Sequence, residues 1–294
     1  MKRCRLVLAA LFVMAVAPAL VQAQIELVQR SLVDPRGLNF ANGPQTRFST
    51  AINGATHQQN PLVSYKGYQY VTYYNAQRYV CLGRRKLPNG RWNVIRFKDY
   101  RITNNDSHNT AVLGICPKDG TIHLAFDHHS TRLNYRRSVK GLANKPDEMK
   151  WNASMFSPIT NKLGRVEKNL NKICYPRFLT TPTGDLLLYY RYLTSANGDG
   201  TLQFYDGDRR QWRTDYGRFI ARDIDRFRHQ GKISEFRCPY INGMSFQGNR
   251  LHVTWSWRDR FEKSNPRNNH SLCYAYSDDL GKTCLLYTSD AADD

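Results

Sequence analysis

Residues Ser107–Ser138 read SHNTAVLGICPKDGTIHLAFDHHSTRLNYRRS. Within them the turn Lys118-Asp119-Gly120 opens onto the strand-like run Thr121–Asp127, and a second run rich in Tyr and Arg, Arg132–Ser138, follows. A turn residue followed by alternating apolar and aromatic residues is the mark of a half-buried strand. The same unit recurs at Gly67-Tyr-Gln-Tyr-Val-Thr-Tyr-Tyr74, Gly184-Asp-Leu-Leu-Leu-Tyr-Tyr190 and Asn249-Arg-Leu-His-Val-Thr-Trp255. Each has its own second strand: Tyr79–Arg85, Thr201–Asp206 and Ser271–Ser277. Several units close on a turn and a tryptophan, at Trp92, Trp151 and Trp212. Period and closing aromatic together predict an all-β chain, a β-propeller of four-stranded antiparallel blades. No long stretch of helical period competes with this.

Four units are visible, preceded by a less regular lead-in from Ile25 to Pro61. Radial propellers usually need more blades to close. A chain ending at Thr283 is therefore expected to be an open, partial propeller. The segment Tyr276-Ser-Asp-Asp-Leu-Gly-Lys-Thr283 resembles the Asp-box turn S-x-D-x-G-x-T-W, with Cys284 in place of the tryptophan. Residues 284–294 read like a translated sequencing-adapter sequence, and the expectation is that they do not continue the last blade. At the other end, Met1–Ala23 has a basic start, an apolar core from Leu6 to Leu20 and a small-residue cleavage site, the pattern of a signal peptide. The expected organisation is thus 1–23 signal peptide, 24–283 partial propeller and 284–294 foreign tail. Such a chain would be secreted or periplasmic.

The formal charge is +19. The charges of the signal segment and the tail cancel, so the folded part keeps this excess, which attracts polyanions. No nucleic-acid-binding motif is present, and an exported basic protein points to an acidic polysaccharide instead. Cys81, Cys116, Cys174, Cys238 and Cys273 show no tight spacing and read as buried hydrophobes, with room for one disulfide.

His108, His123, His128 and His129 bring half of the protein's eight histidines into the opening stretch. Imidazoles exchange protons near neutral pH, so a proton-transfer site is the first expectation. His123 reads as a packed strand residue. His128 and His129 point to opposite faces of an extended strand, so at most one of them faces a given cleft. No HxH, HExxH or CxxC pairing supports zinc.

These residues resemble the BNR-repeat-like β-propellers that include ulvan lyases and related uronate-polysaccharide lyases. The resemblance runs from about Gln58 to Thr283. It rests on Ser107-His108-Asn109, Asp119-Gly120-x-Ile122-His123 through Asp127-His128-His129, Leu133-x-Tyr135-x-x-Ser138, Tyr175-Pro176-x-Phe178 and Tyr189-Tyr190-Arg191. It implies a seven-bladed fold, of which this chain would hold about four to five blades. It also implies a catalytic set of His108, His129, Tyr175 and Arg191, with His128, Arg177 and Tyr240 in substrate binding. β-Elimination on a uronate removes the C5 proton beside a carboxylate and expels the oxygen on C4. Arg191 would neutralise the carboxylate, and Tyr and His would act as acid and base. That chemistry needs no cofactor. Some relatives carry a structural metal ion, so the resemblance leaves a structural metal ion possible here, with its ligands unassigned. The implied protein is a monomer acting on an acidic, sulfated, ulvan-like glycan, with no nucleic-acid partner and no membrane partner once the signal is cleaved. Two other functions fit the residues: a hydrolase or lyase of terminal rhamnose–glucuronate linkages, and a non-catalytic glycan-binding propeller. A sialidase is disfavoured, because its arginine triad and Tyr/Glu pair are not recognisable.

Overall fold

The computed structural model describes residues 27, 29–38, 51–54, 60–164, 170–222, 228–229, 231–234, 236–260 and 268–287. The predicted signal peptide and residues 288–294 lie outside them. Residues 33–294 form one compact unit, which holds every strand below, and residues 1–32 form a separate one. Among the described residues no helix is long and apolar enough to cross a membrane.

The first blade is a meander of β1 (Leu62–Tyr65), β2 (Tyr68–Tyr74), β3 (Tyr79–Lys86) and β4 (Asn93–Arg101), paired in that order. The second holds β5 (Ala111–Cys116) and β6 (Thr121–Phe126); β7 (His129–Thr131) leaves it, and β8 (Tyr135–Arg137) returns to pair with β6. The third runs β9 (Ile173–Thr180), β10 (Leu186–Leu193), β11 (Gly198–Asp206) and β12 (Gln211–Trp212), with β13 (Arg218–Ile220) on β11. A short hairpin, β14 (Arg228–His229) and β15 (Lys232–Ile233), precedes the fourth blade. That blade is β16 (Arg237–Gln247), β17 (Arg250–Asp259), β18 (Asn269–Ser277) and β19 (Leu285–Tyr287). All the pairings are antiparallel, as the alternating pattern predicts.

Side-chain alternation turns these sheets into a stack. On β5 and β6 every residue is buried, because both faces of that blade are covered. Ala111, Leu113, Ile115, Ile122, Leu124 and Phe126 pack toward the first blade. Val112, Cys116 and Ala125 pack toward the third, with Leu186, Leu188 and Tyr190. Leu187 and Tyr189, one residue out of step on β10, join Leu251, Val253 and Trp255 of the fourth blade. Gly114 lets the second and third blades approach closely, since a Cβ there would lie 2.5 Å from that of Phe178.

The Asp-box turn after β18 is formed. Asp279 accepts from the Ser277 hydroxyl (2.7 Å), the Thr283 amide (2.8 Å) and the Thr283 hydroxyl (2.6 Å). The chain beyond Thr283 departs from expectation. Cys284 packs against the last core layer, and Leu285–Tyr287 pairs with Tyr274–Tyr276 as the blade's outer strand. A sheet edge presents unpaired backbone groups that accept any extended segment, whatever its side chains. No disulfide is formed among the described residues; Cys81, Cys116, Cys174 and Cys238 are buried thiols.

Candidate active site

The site is made where the second blade reaches across to the third. Asp127 and Ser130 take left-handed backbone conformations, with φ of 67° and 65°. These kinks lift β7 off its own blade and lay it on the edge of β9, with His129 opposite Cys174. The Ser130 amide donates to the Cys174 sulfur at 3.0 Å. On β9 the ladder with β10 jumps from Tyr189–Arg177 to Arg191–Cys174. Tyr175 and Pro176 thus face a single residue, a β-bulge, which is where a sheet tolerates proline. Tyr175 sits there at φ 56°, rare for an aromatic residue and unfavourable ahead of proline. Bulges re-aim side chains, and this one brings Tyr175 to the imidazoles.

His108 and His129 stack, with ring centroids 4.4 Å apart and planes at 25°. The Tyr175 ring lies 5.7 Å from one and 5.6 Å from the other. The Tyr175 hydroxyl lies at hydrogen-bonding distance, 3.2 Å, from His129 Nε2. Below the rings, Asp106 accepts from His108 Nδ1 at 2.7 Å and from His129 Nδ1 at 2.5 Å. Burial alone would raise its pKa, but these two hydrogen bonds outweigh that and hold the carboxyl well below the usual range. Burial pushes the Tyr175 phenol far up, against the opposing pull of Arg191, so it stays protonated. The sequence reading did not single out Asp106. Its signal was there: in Asp106-Ser107-His108 the carboxylate accepts from the amide two residues on, at 3.0 Å, as Asx turns do.

Arg191 and Tyr240 complete the cluster from the other side. The Arg191 guanidinium lies 4.9 Å from the Tyr175 ring centre and 3.9 Å from that of Tyr240, and those two rings are 6.1 Å apart. Arg191 is only 1% exposed. Its two terminal nitrogens donate to the backbone carbonyls of Ser195 and Pro239, while the Tyr240 hydroxyl donates to the Ser195 carbonyl at 2.8 Å. Both terminal nitrogens of the guanidinium are thus engaged by main-chain carbonyls. Its fork ties the loop at Ser195 to the start of β16 at Pro239, and its charge lies against two aromatic faces.

A BNR-repeat family model, described as BNR repeat-containing family member, matches residues 68–292. The chain belongs to the BNR repeat-containing family. It is 25% identical over 306 residues to an ulvan lyase long isoform of Pseudoalteromonas sp. (strain PLSV), covering 89% of this chain and 30% of that protein. It is also 25% identical over 256 residues to an ulvan lyase short isoform of Alteromonas sp. (strain LOR), covering 73% and 47%. The chain thus spans less than half the length of these curated relatives. Among solved structures it is similar to the polysaccharide lyase Uly1, with a TM-score of 0.63 and 21% identity over 86% of this chain and 57% of the other. An ulvan lyase bound to -[GlcA(1-4)Rha3S]- aligns with a TM-score of 0.56 and 12% identity, over 85% and 56%. These likenesses establish the β-propeller fold.

Two of the expected binding residues lie elsewhere in this BNR-repeat chain. His128 is fully buried; its Nε2 accepts from the Asn134 amide at 3.4 Å, and burial pulls its pKa down to about 4. Asp127's kink thus settles which of the neighbouring pair meets Tyr175: His129. Arg177 lies past the bulge and donates to the Ile241 carbonyl at 3.2 Å. It lines a cavity of about 350 Å³ with Tyr189, Leu187 and Met244, apart from the imidazoles. His123 is the packed strand histidine foreseen, held between the Thr121 and Tyr135 hydroxyls at 2.7 Å each.

Asp106, His108 and His129 are the one group of metal-type donors brought together among the described residues, their donor atoms within 4.8 Å. Each imidazole turns Nδ1 onto a carboxylate oxygen at hydrogen-bonding distance, so the three satisfy one another.

Proposed function

We propose that this chain is the catalytic part of a secreted polysaccharide lyase that cleaves an acidic, uronate-containing glycan of the ulvan type by β-elimination. The observation that carries this reading is the convergence of His108, His129 and Tyr175 on one spot, in a chain similar to ulvan lyases. β-Elimination needs a base for the C5 proton and an acid for O4. An imidazole with an unprotonated Nε2 supplies the first, and the buried, neutral phenol of Tyr175 the second. The developing negative charge lies close to Arg191, which stabilises it electrostatically through the Tyr175 and Tyr240 rings. The excess of basic residues draws the polyanion to the surface. Glycoside hydrolysis, by contrast, relies on a pair of carboxylates flanking the bond. The carboxylate at this cluster, Asp106, already has both oxygens engaged by imidazoles.

The test is product analysis on ulvan and other uronate polymers. Elimination leaves an unsaturated uronate that absorbs in the ultraviolet, together with a new reducing end. New reducing ends without that absorbance would replace the lyase with a hydrolase. Retention of the polymer without cleavage would reduce the site to a binding surface.

A further inference from the structure

We propose that Asp106 is the positioning residue of this site: one carboxylate that fixes His108 and His129 in the same tautomer and in their stacked arrangement. An ionised carboxylate can only accept hydrogen bonds. Each Nδ1 that meets it must therefore carry the proton, which makes each Nε2 the acceptor nitrogen. At His129 that tautomer leaves Nε2, 3.2 Å from the Tyr175 hydroxyl, able to accept from the protonated phenol.

The loop that presents Asp106 is itself tied down. Asn104 accepts from the Asp106 amide at 3.1 Å through its side-chain oxygen and donates to Asp127 at 2.7 Å through its nitrogen. The Asn109 side chain donates to the same Asp127 oxygen at 2.6 Å, and the Asn109 amide donates to the Asp106 carbonyl at 3.1 Å. Asp127 is also the residue whose kink launches β7. One network thus sets the height of both histidines, the near one through its loop and the far one through its strand.

The catalytic consequence rests on the lyase reading above, whereas the tautomer assignment rests on geometry alone. The experiment uses the full chain and two readouts. Imidazole ¹⁵N NMR, assigned with His108→Gln and His129→Gln, should show both rings protonated at Nδ1. In Asp106→Asn the amide offers one acceptor and one donor, so one ring should move its proton to Nε2. On a uronate polymer that variant should lose about 10³–10⁴-fold in kcat, the scale of a wrong histidine tautomer, with KM changed little. Asp106→Glu, which keeps an anion, should retain both Nδ1 protons and recover part of the rate. Nε2 protonation of either ring in the unaltered protein would overturn the proposal, as would an Asp106→Asn variant with undiminished kcat. Stoichiometric Zn²⁺ uptake that Asp106→Ala abolishes would also overturn it, making the trio a metal site. If the unaltered protein cleaves no uronate polymer, the lyase reading fails and the NMR pattern still decides Asp106.

Discussion

The Tyr175 hydroxyl lies 3.2 Å from His129 Nε2 across 46 residues of sequence. Two departures from regular β-structure create that contact, the bulge at Tyr175-Pro176 and the kink that carries β7 onto β9. Removing the hydroxyl keeps the ring, its contact with Arg191 and the bulge. Tyr175→Phe is expected to lower kcat by about 10²–10⁴-fold, the usual contribution of a positioned acid or base. Circular dichroism and melting temperature should stay near those of the unaltered protein. Ultraviolet detection of unsaturated product checks the rate, and near-normal turnover would remove Tyr175 from the chemistry.

Arg191 makes a different prediction, because its fork bridges Ser195 and Pro239 beneath Tyr240. An ammonium group cannot reproduce two divergent donors and a flat face against an aromatic ring. Arg191→Lys should destabilise the protein by about 1–3 kcal/mol, the cost of leaving a buried acceptor unpaired. It should also reduce turnover more than Tyr240→Phe, which keeps the stacked ring. Denaturant melts and kcat measured on the same samples test both halves. A Lys variant as stable and active as the parent would show that the bridge is dispensable.

Much of the propeller could be read locally. The four turn-plus-alternation units became β2, β6, β10 and β17, the second strand of each blade, because period-two patterning and a turn residue are properties of a few neighbouring positions. The Asp box also formed as its residue types require. The site was legible as a set of residues but not as an arrangement. Nothing local in Asp127-His128-His129 says that a non-glycine residue will take φ 67° and send the next strand to a neighbouring blade. Nor does the cation in Tyr189-Tyr190-Arg191 reveal that it will be walled in by Tyr240 and two carbonyls. The first outcome depends on contacts between the second and third blades, the other on contacts between the third and fourth. The pairing of Leu285–Tyr287 is the converse case, since an open edge on β18 recruits backbone whatever its side chains and residue types do not announce it.

Two buried histidines should make the protein acid-sensitive. Burial lowers the pKa of His123 to about 3 and of His128 to about 4, against 6.5 for an exposed ring. Well above pH 6.5 both are neutral in the folded and unfolded states and contribute no pH dependence. As pH falls from 6.5 toward 4, the unfolded chain binds protons that the folded one does not, so stability falls with pH. Each histidine can contribute up to about 1.4 kcal/mol per pH unit in that window. His128→Gln keeps an acceptor for the Asn134 amide and cannot titrate. Its stability should decline less steeply between pH 6.5 and 4 than that of the parent, as followed by urea denaturation at several pH values. Parallel slopes would show that His128 is protonated in the fold.

The packing of the second blade on the third offers a test independent of chemistry. Gly114 of β5 lies against Phe178 of β9, and a methyl group there would meet the Phe178 Cβ at 2.5 Å and its ring carbon Cγ at 2.7 Å. Both atoms are near the backbone, so neither can swing away as the end of a long side chain would. Gly114→Ala must therefore push β9 outward or distort β5. Overpacking of this kind costs about 1–3 kcal/mol. Because β9 carries Tyr175, the shift should also weaken its contact with His129 and lower kcat, although Gly114 touches neither residue. Pairing the substitution with Phe178→Gly removes both clashing atoms and should restore part of the lost kcat while leaving a cavity of its own. A Gly114→Ala protein with unchanged stability and turnover would mean that the two blades do not pack this closely.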